Sequence, residues 1–271
     1  MKKLGFIGGG NMAEALISGL LSHGVFKPRD LIASDVAPQR RRHLARKYKI
    51  VTTQDNRKVA NESNALLLAV KPQQIDAVLA ELRDASRGNR KFYISIAAGV
   101  PTARLARGLG ARARIVRVMP NAPAMVGAGM AALFRGLGAS KSDEAFTLKI
   151  FRAVGDAVLV RDERLLDTVT ALSGSGPAYV YLFVKALADA AAAEGIPHQL
   201  AIRMALKTIE GAERVMRASK QTPEELIRIV ASPGGTTEAA LSIFAGSGFS
   251  DIVAAAVHAA SARSRELARN S

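Results

Sequence analysis

Five short apolar runs dominate the first 160 or so residues: LGFIG (4–8), LIAS (31–34), ALLLAV (65–70), FYISI (92–96) and RIVRV (114–118). A strand with one face in water alternates apolar and polar residues. A strand covered on both faces reads as a continuous apolar run, as these do. Between them, NMAEALISGLLSHG, ending at Gly24, and DVAPQRRRHLARKY carry the helical pattern. Strand, helix, strand repetition restricts the chain to an open, parallel, doubly wound α/β sheet. MAALF (130–134) and AVLV (157–160) extend that sheet around the helical stretch SDEAFTLKIFRAVG.

After Arg164 the strand signals stop and alanine-rich helical patterns run to the end. PHQLAIRMALKTIEGAERVMRAS spaces Leu200, Ile202, Leu206, Ile209, Val215 and Met216 close to a helical repeat. TPEELIRIVAS opens with Thr222 as N-cap, Pro223 in the first turn and Glu225 closing a capping box. These signals predict an α/β domain over 1–163 and an all-helical domain over 164–271. In the second, ALSGSGPAYVYLFVKALADAAAAEG (171–195) offers Gly and Ala where another helix can approach closely. That stretch reads either as core packing or as a helix-on-helix subunit interface.

Of the 271 residues 49% are hydrophobic, enough for a sizeable core. The absence of cysteine excludes disulfides, thiolate metal sites and a thiol nucleophile, and fits a reducing cytoplasm. The N-terminal apolar run stops at glycines after Ile7, and no stretch reaches ~18 uninterrupted apolar residues, so a soluble protein is expected, not a membrane one. The net charge of +15 suits a phosphate-bearing cofactor and a small carboxylate, and can also attract nucleic acid. Aromatic residues are 5% and none is interleaved with basic residues as a single-strand-binding face would be, which argues against nucleic acid.

GFIGGGNMAEAL places Gly8-x-Gly10-x-x-Ala13 directly after the first strand and at the start of a helix. Gly8 permits the tight turn, Gly10 lets backbone approach a pyrophosphate, and Ala13 allows close helix–strand packing. In the first βα turn of an alternating chain this predicts dinucleotide binding, against the plain alternative of a turn. Asp35 lies near the position where an acid accepts bonds from the ribose of NAD. Ser34 before it and Arg40, Arg41 and Arg42 after it favour NADP, unless the arginines form a solvated helix face. AVKPQQ (69–74) and SIAAGV (95–100) follow strand candidates, as does RVMPNAPAMVGAG (117–129); each alone reads equally as a structural turn, but three such loops at corresponding strand ends favour the lining of a crevice. His23, His43, His198 and His258 fall outside those loops and read as surface or packing residues. No metal-ligand spacing occurs, so no metal is expected. A nicotinamide cofactor supplies hydride itself; the protein's part is orientation.

Taken with LAVKPQ, SIAAGV, RVMPNAP, TALSGSGPAYVY and above all SPGGTTEAAL (232–241), the chain resembles the pyrroline-5-carboxylate reductases over its whole length. The resemblance implies a Rossmann-type N-terminal domain and a helical C-terminal domain that interlocks with a partner into a homodimer, often assembled further into decamers. It implies NADPH, with NADH as an alternative, and reduction of the C=N bond of 1-pyrroline-5-carboxylate to L-proline, the last step of proline synthesis. Ile7, Gly8, Gly9, Gly10, Asn11 and Met12 are similar to the pyrophosphate loop. Ser34 resembles the residue facing the adenosine 2′-phosphate, and Asn56 an adenosine-ribose contact. Ala69, Val70, Lys71 and Pro72, with Ser95, Ile96 and Ala97, resemble the loops around the nicotinamide. Ser232, Gly234, Gly235, Thr236 and Thr237 resemble the substrate loop, whose amides at a helix N-terminus suit a carboxylate. Thr237 takes the catalytic place, bonded to the ring nitrogen.

Three positions depart from the family's pattern. Ala122 stands where Thr is usual, Lys185 where Glu is common, and Ile229 at an often polar position. Other readings remain: another cyclic-imine reductase, or a hydroxyacid dehydrogenase, of the same two-domain plan. The dehydrogenases present a catalytic lysine early in a helix, which the contexts of Lys185 and Lys207 do not match. A non-enzymatic nucleotide- or nucleic-acid-binding protein is the alternative of a different class.

Overall fold

The computed structural model describes residues 1–85, 91–136 and 138–269. In chain order the first half contains β1 (Lys2–Ile7), α1 (Asn11–Ser22), β2 (Leu31–Ser34), α2 (Pro38–Tyr48), β3 (Val51–Thr53), α3 (Asn56–Glu62), β4 (Ser63–Leu68), α4 (Ile75–Ala85), β5 (Phe92–Ser95), α5 (Thr102–Leu109) and β6 (Arg114–Met119). Then come β7 (Gly129–Arg135), α6 (Lys141–Arg152), β8 (Gly155–Val160) and α7 (Leu165–Val169). The strands form one sheet in the order β3-β2-β1-β4-β5-β6-β7-β8. All neighbours are parallel except β6 and β7. Residues 120–128 between those two are too few for the crossover that a parallel pair needs, which takes a dozen or more.

Both faces of the sheet are buried, which is why its strands read as continuous apolar runs. On one face Leu4, Phe6, Leu67, Phe92, Ile94, Val116 and Val118 pack with Leu16, Ile17 and Leu20 of α1 and Ile150 and Phe151 of α6. On the other, Ile7, Ile32, Leu66, Leu68, Tyr93 and Ile115 meet Val59 of α3, Val78 and Leu79 of α4 and Leu105 of α5. Every strand expected from sequence is present. β3 was not among them: VTT is three residues long with two hydroxyls, and Val51 is exposed, so no apolar run marks it.

A buried ion pair fastens the segment after β5. Arg117, 6% exposed in β6, donates to Glu163 Oε1 at 3.0 Å. The same carboxylate accepts from the backbone N–H (2.7 Å) and the hydroxyl (2.7 Å) of Thr102, at the start of α5. The β5–α5 connection is thereby tied to the end of the sheet.

The second half is helical: a π-helical turn at Thr170–Gly174, then α8 (Gly176–Ala193), α9 (His198–Ala218), α10 (Pro223–Val230), α11 (Thr236–Gly246) and α12 (Phe249–Arg269). The capping box of α10 forms as expected between Thr222 and Glu225. The stretch 171–195 is not one helix, since the π turn and Ser175 separate its first residues from α8. The chain divides into two compact units, residues 1–175 with the chain from Ala259 on, and residues 176–258. The expected boundary at 163 marks the end of the strands, but Leu165–Ser175 stay with the sheet. The end of α12 joins them, with Ser264 Oγ donating to the buried carboxylate of Asp167 at 2.7 Å.

Within the second unit α8 and α9 pack against each other, yet α8 buries only Val184 and Ala188. Tyr181 (66%), Leu182 (67%) and Ile243 (72%) stand exposed, with Val180, Phe183, Ile252 and Val253 around a third to two-thirds open. So much apolar surface on one small unit marks an interaction face.

Candidate active site

Four strand ends lie level along one edge of the sheet. The register pairs Ile7 with Ser34, Ile7 with Leu68, and Leu68 with Ser95. Each ladder continues by one bond into the following loop. Gly8 N–H donates to Ser34 O (2.9 Å), Ala69 N–H to Ile7 O (2.8 Å) and Ile96 N–H to Leu68 O (3.2 Å). The strand order reverses between β1 and β4, so these loops surround the crevice where doubly wound sheets bind ligands.

The glycine loop is shaped for a phosphate. Gly8 has φ +96°, and a Cβ there would stand 2.8 Å from Ala69 O. At Gly10 a Cβ would meet nothing within 4 Å, leaving open space above the turn. Gly9 is held from both sides: its N–H donates to Asp35 Oδ2 (2.8 Å) and its carbonyl accepts from Arg40 Nε (2.8 Å). The amides of Gly8 and Gly9 are thus occupied inside the protein. Those of Asn11, Met12 and Ala13, in the first turn of α1, have no intrahelical partner, and Gly10 makes no side-chain cap. These are the donors left for a pyrophosphate, with the helix dipole behind them.

The cations after β2 take three separate positions. Arg40 bridges Gly9 O and Glu14 Oε2 (2.7 Å). Arg41 Nη1 caps the β2–α2 turn, donating to Asp35 O (2.7 Å) and Val36 O (3.0 Å). Arg42 lines a shallow cleft of about 290 Å³ with Gln39, His43, Arg46 and Lys47. Asp35 turns its carboxylate inward, accepting from Ala37 N–H (2.8 Å) as well as from Gly9. Ser34 closes β2. It is fully buried, and its hydroxyl is turned to Asn56 Oδ1 (2.6 Å) and Phe6 O (3.3 Å), inside the protein.

Glu14 collects α2 onto α1. Its Oε1 accepts from His43 Nε2 (2.8 Å), Lys47 Nζ (3.0 Å) and Tyr48 OH (3.0 Å). Burial works against the charged form, but hydrogen bonds from His43, Lys47, Arg40 and Tyr48 outweigh it and hold the carboxyl at about 2. The folded value lies below the ordinary 4.5, so this group's stabilisation is present above pH 4.5 and is lost as pH falls toward 2. Glu14→Gln should therefore lower the urea midpoint at pH 7, and the gap from wild type should narrow steadily below pH 4.5. A gap independent of pH would mean that the charge of Glu14 contributes nothing.

The residues expected around the nicotinamide lie in the loops after β4 and β5. Ser95 and Ala97 are buried and bonded to each other, Ala97 N–H to Ser95 Oγ at 3.4 Å, and Ile96 is half-buried. Val70 is half-buried, Lys71 is exposed, and Pro72 opens a 3-10 turn. Asn121, which the sequence reading did not single out, fixes the loop after β6. It donates to Ser173 O (3.0 Å) and accepts from Met130 N–H (2.8 Å), with Ala122 beginning the next turn. A single polar residue between Pro120 and Pro123 was the available signal.

The loop before α11 is a second anion-ready element, belonging to the other compact unit. Gly235 N–H donates to Ser232 O (3.0 Å), closing a turn in which Gly234 has φ +69°. Glu238 reaches back to Gly234 N–H at 2.7 Å. Gly235 caps α11 without a side-chain bond, so the amides of Thr236, Thr237 and Glu238 remain without intrahelical partners. Ser232 and Thr236 are exposed and Thr237 is half-buried. Of the departures, Lys185 pairs with Asp189 within α8 at 2.5 Å, and Ile229 is exposed on α10. His198 also bonds Asp189, at 3.0 Å.

Residues 163–267 match the family model described as pyrroline-5-carboxylate reductase dimerisation, and residues 3–99 match that of the NADP oxidoreductases, coenzyme F420-dependent. Pyrroline-5-carboxylate reductase of Synechocystis sp. is 42% identical over 98% of both chains, and that of Pseudomonas aeruginosa 39% identical over 98% of this chain and 97% of its own. The structure of a pyrroline-5-carboxylate reductase from Coxiella burnetii superposes with a TM-score of 0.93 at 36% identity, covering 98% of each chain. That of Plasmodium falciparum, solved with NADP bound, gives 0.88 at 30%, again over 98% of each. With relatives 39–42% identical over nearly its whole length and the dimerisation model matched over residues 163–267, the chain belongs to the pyrroline-5-carboxylate reductase family.

Proposed function

We infer that this protein reduces the C=N bond of 1-pyrroline-5-carboxylate with hydride from NADPH. The observation that carries the reading is the uncapped N-terminus of α11, where three free amides adjoin the hydroxyls of Ser232, Thr236 and Thr237. Amides and dipole bind the substrate carboxylate, and Ser232 and Thr236 add bonds to it. Thr237 bonds the ring nitrogen and fixes the orientation of the imine. Asn11, Met12 and Ala13 hold the pyrophosphate. The cofactor supplies the hydride; the chain supplies orientation, which is worth several kcal/mol when both reactants are held. A specific test uses NADPH carrying deuterium at both C4 positions of the nicotinamide. Deuterium at C5 of the L-proline formed is the expected result, and proline without label would contradict direct transfer.

The same reading treats residues 1–163 as the cofactor domain and 164–271 as the substrate and dimerisation domain, in a protein working in the cytoplasm. No single helix among the described residues is long and apolar enough to cross a membrane. The apolar residues left open on α8, α11 and α12 support a homodimer, with decamers as a further level. Leu182→Asp should convert the dimer to monomer in sedimentation at micromolar concentration, since a charge at a dry interface is left unpaired. A dimer that survives both this and Ile243→Asp would place the interface elsewhere.

A further inference from the structure

The strand end where NADP and NAD enzymes differ carries an acidic group that sequence motifs do not point to. Beyond β2, Ser34 donates to Asn56 Oδ1 at 2.6 Å, and Asn56 Nδ2 donates to Glu81 Oε2 of α4 at 2.7 Å. A carboxylate only accepts, so Glu81 dictates which end of the Asn56 amide faces it. Asn56 Oδ1 is left toward Ser34 and is the nearer of that hydroxyl's two acceptors, Phe6 O standing at 3.3 Å. Glu81 is exposed, and an open cleft of about 550 Å³ lies beside it, lined by Gln54, Asp55, Asn56, Arg57 and Glu81. Asp55 is engaged by Arg57 N–H at 2.8 Å, as the cap of α3. The cleft therefore holds two carboxylates against one guanidinium, an environment that disfavours a phosphate. Arg41 of α2 is bonded to the β2–α2 turn through Nη1, and its carbonyl accepts from Thr52 Oγ1 (3.3 Å) of β3, the strand that leads into Asp55 and Asn56.

We propose that Glu81 is a specificity-determining residue: it orients Asn56 and sets a negative charge against the adenosine 2′-phosphate, offsetting Arg41, so that the protein accepts both NADPH and NADH. The proposal rests on the reading of the strand-end crevice as the dinucleotide site. Opposing charges around one strand end make discrimination a small difference, and removing Glu81 or Arg41 moves it in a known direction. A purely structural role for Glu81 would weaken both nucleotides alike.

The test is calorimetric titration of NADPH and NADH into wild type, Glu81→Gln and Arg41→Gln, with no imine substrate present. Glutamine keeps an acceptor for Asn56 and removes the charge. Glu81→Gln should raise the NADH-to-NADPH ratio of dissociation constants roughly three- to tenfold in favour of NADPH at low salt, as expected for one charge acting on a phosphate across a few ångströms of water. The change should shrink in 0.5 M salt, where the screening length falls to roughly 4 Å. Arg41→Gln should move the ratio the other way. A ratio unmoved by Glu81→Gln while Arg41→Gln shifts it overturns the proposal and leaves the cofactor site in place. If wild type binds neither nucleotide, the dinucleotide reading itself fails, and the proposal with it.

Discussion

Replacing Thr237 with alanine is expected to lower kcat for imine reduction about 100-fold while leaving the dissociation constant of NADPH within about twofold. The magnitude is that of one positioned donor at a reacting group. Thr237 occupies the first turn of α11, half-buried, with its amide among the three left free by the uncapped helix end. Alanine keeps the helix and the free amides and removes the hydroxyl together with the γ-methyl; Thr237→Val, which keeps the shape without the hydroxyl, should show the same loss. The carboxylate should still bind, so KM should rise far less than kcat falls. Thr237→Ser, which restores the oxygen, should recover most of the rate. A Thr237→Ala enzyme with unchanged kcat would remove the side chain from the reaction and leave the loop as a carboxylate clamp alone.

The second large effect concerns the folded state. Glu163→Ala strips the carboxylate from Arg117, which is 6% exposed and has its Nη1 on Glu163 at 3.0 Å, and also frees both donors of Thr102. A buried guanidinium left without its partner costs about 3–5 kcal/mol, against the small effect of a surface pair. The loss should appear as a lower denaturant midpoint with an unchanged slope. The double variant Arg117→Met/Glu163→Met should recover part of it, because the uncompensated charge is then gone. If Glu163→Ala costs under about 1 kcal/mol, water or a rearranged side chain replaces the carboxylate and the tie is not structural.

What the sequence made legible was what its periods encode. Continuous runs such as ALLLAV mark strands buried on both faces, and a Thr-Pro-x-Glu start marks a helix, so sheet, glycine loop and α10 follow directly. The direction of β7 was not readable, since MAALF is the same pattern either way and only the short connection from Met119 to Gly129 reverses it. Burial at a strand's last residue was equally silent. Ser34 looks like any hydroxyl at a loop entrance, yet its side chain points under the sheet edge toward Asn56. Asn56 and Glu81 are 25 residues apart, and no local pattern brings them together. Nor does linear order reveal that α12 returns to the first unit through Ser264 and Asp167.

The most direct test of the account compares initial rates for 1-pyrroline-5-carboxylate and for 1-pyrroline, which keeps the C=N bond and lacks the carboxylate, at saturating NADPH. A site built around the free amides of α11 loses its main anchor with the second substrate. The predicted result is turnover of the carboxylate and a kcat/KM for 1-pyrroline at least roughly 100-fold lower, the scale of losing a charge-assisted bond set. Equal rates on the two imines would contradict the claim that the SPGGTT turn holds a carboxylate.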